Sequence, residues 1–238
     1  MAETEITEAM RIVERYERRA REGKELNAPL YSPLAADVYL SAQEKERAFI
    51  RWIKTCGIRP LEEKRLLEIG CGNGDDLLRM IRLGFRPENL TGNELLPDRL
   101  AISSLRLPSS VRLVSGDARK IEVERGSFDI VYQSMAFTSI LDDVFRQDLA
   151  THMWALIKPG GGILWYDFIY KNPKNSDVRP MPLERVRKLF PEGSVTFWRV
   201  TLAPPISRRV TKIHPSLYTI FNTIPALRTH VLCWIRKP

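Results

Sequence analysis

The stretch that most constrains this chain is LLEIGCGNGDD, Leu66 to Asp76. A mostly apolar run of the kind that forms a buried strand breaks into three glycines spaced two apart, then two aspartates. Glycines this dense leave no side chain between the backbone and whatever it approaches, and they enter left-handed conformations at no steric cost. The stretch therefore reads as a buried strand, a tight turn and the first residues of a helix, with a ligand lying against the turn.

The remainder supplies the same alternation. Strands are predicted over 65–70, 89–94, 111–116, 128–133, 162–168, 194–202 and 229–237, and helices over 75–84, 97–105 and 142–157. Strands alternating with helices imply a parallel sheet covered on both faces, with right-handed crossovers. The expected fold class is α/β: a doubly wound, seven-stranded, mostly parallel sheet. No helix follows the last strand, which is expected to run antiparallel at an edge. Pro204, Pro205, Pro215 and Pro225 mark the preceding stretch as irregular, with a short helix near 216–223.

Before the sheet, the first 24 residues form a charged helical pattern with Ile6, Met10, Ile12, Val13 and Tyr16 roughly on one face. Residues 26–40 read as irregular, opening into a helix. Ser41 with Glu44 fits a capping box, and Gly57 fits a helix stop. Residues 1–58 are thus expected to be an N-terminal helical lid, and 59–238 the sheet domain.

Three kinds of ligand bind at glycine-rich strand-to-helix turns: dinucleotides, nucleoside triphosphates and S-adenosylmethionine. The dinucleotide fingerprint is GxGxxG, whereas this chain has GxGxG followed by Asp75 and Asp76. A pyrophosphate needs the positive end of the helix, and two carboxylates there repel it. They do not repel a sulfonium and an ammonium group. No Gly-Lys-Ser/Thr follows, which excludes a phosphate-binding P-loop.

On these residues the chain resembles the class I S-adenosylmethionine-dependent methyltransferases. LLEIGCGNGD resembles their first motif, and the stretch from about 60 to 170 resembles their Rossmann-like core. The resemblance implies an enzyme with S-adenosylmethionine as cofactor and S-adenosylhomocysteine as product. It places Glu68, Gly70, Cys71, Gly72, Asn73, Gly74 and Asp75 around the cofactor at the turn. Glu94, ending the second strand in LTGNELL, would hold the ribose hydroxyls, with Leu95 beside it. Asp117 and Ala118 in VSGDA would lie near the adenine. Gln133 in FDIVYQS would line the methyl-transfer site, and LIKPGGGILWYDF, 156–168, resembles the turn into the fifth strand.

Methyl transfer needs alignment and water exclusion, and a hydroxyl acceptor also gains from a base. The candidates for catalysis are Asp167, at the end of the fifth strand, and His230, at the start of the last. His152 reads as a packed or exposed helix residue. Tyr31, Tyr166 and Tyr170 are candidates for the substrate wall. Arg208 and Arg209 in PPISRR are candidates for an anion contact, on a backbone fixed by prolines. They belong to 169–230, which holds seven arginines and is expected to contain a substrate-binding insertion.

No metal is expected: Asn172 stands five residues beyond Asp167, not adjacent to it as in the metal-dependent catechol-type enzymes. YQSMAF stands where amino-group methylation of nucleic-acid bases has its Asn/Asp-Pro-Pro-aromatic signature. The net charge of +8 invites an anionic partner, yet the N-terminal arginines are mixed with glutamates as on a solvated helix. Cys56, Cys71 and Cys233 form no CxxC pair. The charged N-terminus and the lack of a long apolar run point to the cytoplasm. The leading expectation is O-methylation of a small molecule or glycan, with anionic sugar nucleotides, polysaccharides and secondary metabolites among the fitting acceptors. An RNA methyltransferase is the second reading and a non-catalytic cofactor-binding subunit the third.

Overall fold

The computed structural model describes residues 7–22, 31–173 and 175–238. Residues 1–6 and 23–24 of the expected first helix, and 26–30 of the irregular segment, lie outside these residues.

Seven strands are present: β1 Leu66–Ile69, β2 Leu90–Glu94, β3 Arg112–Ser115, β4 Phe128–Ser134, β5 Ile157–Phe168, β6 Ser194–Leu202 and β7 Arg228–Arg236. They form one sheet in the order β3-β2-β1-β4-β5-β7-β6. Strands β1 to β5 are parallel, and β7 runs antiparallel to both β5 and β6. The last strand is antiparallel as expected, but it is not an edge strand. It inserts between β5 and β6 and leaves β6 outside. The continuous run Val231–Ile235 is buried on both faces, which only an interior position allows. β6 instead carries the exposed Phe197.

The helices are α1 Glu8–Arg21, α2 Ala36–Cys56, α3 Asp75–Leu83, α4 Pro97–Arg106, α5 Asp143–Leu156, α6 Leu183–Leu189, α7 Pro204–Ile213 and α8 Ser216–Asn222. On one face of the sheet Leu67, Val131, Trp165 and Cys233 pack under Leu149 and Met153 of α5 and Val186 of α6. On the other face Leu66, Ile130, Leu164 and Trp234 pack under Phe49 and Trp52 of α2 and Leu77 and Met80 of α3.

Three local expectations are corrected. Ser41 does not begin a helix, because α2 already starts at Ala36. Its hydroxyl instead shares a 3.1 Å hydrogen bond with the Tyr218 hydroxyl, and the Glu44 carboxylate accepts from the Thr201 amide at 2.7 Å. The Ser-x-x-Glu spacing is present, but both side chains have long-range partners. Gly57 does end α2, in the left-handed conformation. Second, Pro204 and Pro205 do not hold an irregular backbone. They occupy the first turn of α7, where a missing N–H costs nothing. Third, β5 begins five residues early and runs through the Lys-Pro-Gly-Gly stretch as a bulge. Its pairing with β4 jumps from Phe128↔Ile157 to Ile130↔Gly162.

Residues 1–58 therefore contain two different things. α2 is a buried layer of the core, with Phe49 and Trp52 fully covered, while α1 lies elsewhere. Within 169–230, α6 and β6 belong to the framework, and the α7–α8 hairpin is what stands between β6 and β7. Trp52 packs against Trp234 with ring centroids 5.4 Å apart. Trp52→Ala is expected to cost about 3–5 kcal/mol in chemical denaturation, the size for a buried aromatic and not for a removable cover.

Candidate functional site

β1 ends at Ile69, and the chain turns through Gly70, Gly72 and Gly74 with φ of 69°, 57° and 82°. These left-handed values make the glycines necessary. The Cys71 amide donates to the Asn93 carbonyl at 2.9 Å, fastening the turn to β2. The Gly72 amide donates to Oε2 of Glu94 at 2.8 Å, and the Leu96 amide to Oε1 at 2.9 Å. A carboxylate offers about four acceptor positions, so this one keeps about two free at the mouth of the turn. A Cβ on Gly72 would meet nothing within 4 Å. The turn thus has an open face, bordered by Glu94 with Leu95 half-buried beside it.

The other turn residues divide. The Cys71 thiol is buried, and burial raises its pKa, so it serves as a packed apolar group. Oδ1 of Asn73 is buried without a hydrogen-bond partner. Asp75 is exposed and paired with Arg106 at the surface. Gly116, at φ 101°, also has open space beside it. Asp117 caps the turn that follows, accepting from the Arg119 amide at 3.0 Å, and both its oxygens take the Arg119 guanidinium. Ala118 packs against the core.

Gln133 is fully buried, and it does not line an open site. Its Oε1 accepts from the Ala136 amide at 3.1 Å, and its Nε2 donates to the Tyr166 carbonyl at 3.4 Å. It thereby shapes the loop after β4, where Met135 sits at φ 62°.

Tyr166, His230 and Lys45 meet at the ends of β5 and β7. The rings of Tyr166 and His230 stack, with centroids 5.2 Å apart and 16° between planes. The Tyr166 hydroxyl bonds Oγ1 of Thr201 at 2.7 Å. Lys45 Nζ lies 4.4 Å from the Tyr166 ring centroid and donates to Ser134 Oγ at 2.8 Å. Burial, with Lys45 adding to it, pushes His230 down to about 3, so its imidazole is neutral. Asp167 lies on the opposite face. His230 pairs with Phe168 across the β5–β7 ladder, so Asp167, the next residue along, points the other way. Asp167 is fully buried, its Oδ2 has no partner, and burial raises its pKa well above the carboxylate range. The two expected catalytic residues therefore lie on opposite faces of the sheet.

The exposed candidates are dispersed. The Tyr170 hydroxyl accepts from Arg199 at 2.6 Å. Arg208 sits 5.9 Å from the Tyr31 ring centroid and 3.7 Å from Asp37, and Arg209 is exposed on α7.

A family profile described as "Methyltransferase domain" matches residues 66–161, from β1 to the glycines of β5. Residues 66–161 therefore carry a methyltransferase domain, in line with the resemblance read from the sequence. Sterol 4-C-methyltransferase strm-1 of Caenorhabditis elegans is 28% identical over 123 residues, covering 49% of this chain and 34% of the relative. Ubiquinone biosynthesis O-methyltransferase of Dechloromonas aromatica (strain RCB) is 29% identical over 155 residues, covering 62% of each. The chain thus spans between a third and under two thirds of the length of these relatives. Among solved structures, an S-adenosylmethionine-dependent methyltransferase from Mesorhizobium loti has the same fold, with a TM-score of 0.58 at 15% identity over 86% of this chain and 99% of that one.

Beneath the turn lies a buried charged cluster of which the sequence showed only Asp76, as a carboxylate at the helix start. Asp76 is buried and is bonded by Lys45, Arg79 and the Tyr132 hydroxyl, the last at 2.8 Å. Burial alone would raise its pKa, but Lys45 and Arg79 outweigh burial and bring it below the usual range. Glu68, on the same face of β1, is also buried, and its Oε2 has no partner. Burial first, then the charge of Asp76, raises Glu68 well above its ordinary value. Of two neighbouring carboxyls, Asp76 carries the charge and Glu68 the proton. The Asp-Asp pair hinted at this, since a helix start buries one of two successive residues. Nothing about Lys45, within a charged helix, did.

α1 crosses the same edge of the sheet. Glu8 accepts from the Leu141 amide at 2.8 Å, Arg15 donates to the Ser139 carbonyl at 2.9 Å, and Tyr16 bonds the Ser139 hydroxyl at 3.1 Å. Arg18 pairs with Asp177 at 2.7 Å, and Arg99 of α4 lies 4.4 Å from the Tyr16 ring centroid.

A group whose folded pKa is raised contributes stability that is full below its unfolded pKa and lost as pH rises through the folded one. Glu68→Gln is therefore expected to match the parent near pH 4.5 and to become progressively more stable relative to it toward pH 8. The slope is at most about 1.4 kcal/mol per pH unit. Urea midpoints across that range read it, and a difference that does not change with pH would contradict the assignment.

Proposed function

We propose that the protein transfers the methyl group of S-adenosylmethionine to an oxygen of a small molecule. The observation that carries this reading is the Glu94 carboxylate, fixed by the Gly72 and Leu96 amides at the open glycine turn with acceptor positions left over. When bound, the cofactor supplies a methyl group already activated by its sulfonium. Glu94 would accept the ribose hydroxyls. The partnerless Oε2 of Glu68 and Oδ1 of Asn73, both beside the turn, fit the remaining donors of such a ligand. Asp117, held in place by the Arg119 amide and guanidinium, and Ala118 would border the adenine.

At the acceptor end the chain offers Tyr166, His230 and Lys45. His230, neutral and a weak base, suits hydrogen bonding to an acceptor oxygen better than abstracting a proton from it. Lys45 favours negative charge developing on that oxygen. α1, bound across the loops after β4 and β5, would serve as the lid that excludes water. The relatives named for sterol and ubiquinone support a small-molecule acceptor over a glycan. An RNA acceptor would call for a continuous basic face. Here Arg199 is engaged by Tyr170, Arg208 by Asp37, and Arg228 by the carbonyls of Asn222 and Arg199.

Glu94→Ala is expected to weaken S-adenosylmethionine or S-adenosylhomocysteine binding by about 1.5–3 kcal/mol, the worth of a charged hydrogen bond. Titration calorimetry measures this, and no heat of binding with the unaltered protein would end the reading. Labelled cofactor with fractionated extracts then assigns the acceptor: label in an organic-soluble or small polar fraction supports it, and label in RNA replaces it with the second reading.

A further inference from the structure

The charge of this chain is not spread evenly. Residues 193–238 contain seven lysines and arginines and no aspartate or glutamate, so nearly all of the net +8 resides in the last fifth of the sequence. The middle of that stretch is the α7–α8 hairpin. The inner side of the hairpin is well packed: Val210 and Tyr218 join Leu202 in a small core of their own. The outer side is not. Ile213 is 78% exposed, Ile220 58% and Ile224 47%. Ile220 lies on α8, and Ile224 follows just beyond its end. Arg209 and Lys212 share the outer face of α7 with Ile213, three and four residues being the spacing of helix neighbours. Leu34 is 94% exposed, close to Tyr31, whose ring Arg208 of α7 contacts.

Two carboxylates beside the hairpin are turned to groups other than Arg209 and Lys212. Asp37 is engaged by Arg208, and Glu44 is buried against the Thr201 amide. The placement of the hairpin is as telling as its composition. It leaves the sheet just after Thr201 and Leu202 and returns just before His230, with the Ala203 amide bonded to the Leu227 carbonyl at its root. Thr201 bonds Tyr166, and His230 stacks on it, so the hairpin rises directly from the acceptor end of the site.

We propose that the α7–α8 hairpin docks the protein on an anionic lipid bilayer. Ile213, Ile220 and Ile224 enter the boundary between headgroups and acyl chains, and Arg209 and Lys212 lie among the anionic headgroups. Exposed apolar side chains flanked by cations, with no acidic residue among them, are the pattern of interfacial binding, and neither component suffices alone. Nucleic acid gives no reason for three exposed isoleucines, and a protein surface gives no reason for the accompanying excess of cations. Docking in this orientation turns the acceptor end of the site toward the bilayer, so the acceptor would be an apolar molecule reached from the membrane. That last step rests on the methyl-transfer reading, whereas the docking itself does not.

The test is flotation of the full chain with vesicles of phosphatidylcholine alone and of phosphatidylcholine containing a third phosphatidylglycerol. Three proteins are compared: the parent, the combined Ile213→Ser, Ile220→Ser and Ile224→Ser variant, and the combined Arg209→Ser and Lys212→Ser variant. All five positions are exposed, so the fold is retained, and calorimetric titration with S-adenosylhomocysteine confirms this for each variant. The parent is expected to float with the anionic vesicles and not the neutral ones, and each variant to bind about tenfold more weakly or worse. A parent that stays in the dense fraction with both vesicles overturns the proposal. So does a serine-for-isoleucine variant that floats as well as the parent, because that binding is charge alone. A parent that ignores vesicles but binds single-stranded RNA with a steep salt dependence would assign the basic tail to nucleic acid instead. Loss of flotation with S-adenosylhomocysteine still bound removes the docking only, and flotation without S-adenosylhomocysteine binding removes the transfer reading only.

Discussion

Asp76 is the group on which the rest of the site depends. It stands at the first turn of α3, fully enclosed, and is shared by Lys45 of α2, Arg79 of α3 and Tyr132 of β4. A buried carboxylate is tolerated only when paired, and removing one partner of such a pair typically costs about 3–5 kcal/mol. One charge therefore fixes three elements against each other beneath the glycine turn. Through Lys45 the same group reaches Ser134 at the end of β4 and the ring of Tyr166 on β5. The glycine turn and the Tyr166 end of the sheet edge are in this way held in one register. The proton on Glu68 follows from the same arrangement, since a second ionised carboxyl beside Asp76 would lack a cation of its own.

Around this anchor the edge of the sheet is shaped by residues with unusual backbones. Met135 and Thr201 adopt left-handed conformations, with φ of 62° and 64°, that their side chains disfavour, Thr201 more so for being β-branched. Each is held by a buried polar neighbour: Gln133 organises the loop around Met135, and Glu44 takes the amide of Thr201. Strain maintained by over-determined surroundings tends to gather at functional edges. Here both strained residues flank Tyr166, whose carbonyl accepts from the Met135 amide and whose hydroxyl meets Thr201.

Two devices border the opening. α1 lies across the loops after β4 and β5, held by polar contacts from Glu8, Arg15, Tyr16 and Arg18. The α7–α8 hairpin rises on the other side from the ends of β6 and β7. α1 joins these polar contacts to the packing of Ala9 and Ile12 against the main core, and the hairpin has a small apolar core of its own.

Much of this was legible in the chain. The spacing of apolar runs determined the seven strands, because buried strands must be apolar whatever they pack against. The glycines at 70, 72 and 74 and the acid at 94 determined the turn and its anchor, because glycine alone takes those φ values without strain and a carboxylate can accept two amides and keep acceptor positions free. The order of strands at the far edge was not legible: nothing local tells β7 that it will sit between β5 and β6. Nor was the division of roles among polar residues. Ser41 with Glu44 reads as a cap until the fold gives each a distant partner, and nothing in the sequence tells that Asp167 and His230 lie on opposite faces of the sheet. Lys45 gave no local sign of its position. Sequence patterns report what a residue does to its own segment, through backbone conformation and periodic burial. Which charge meets which is decided by elements brought together from distant parts of the chain, and only the tertiary structure settles it.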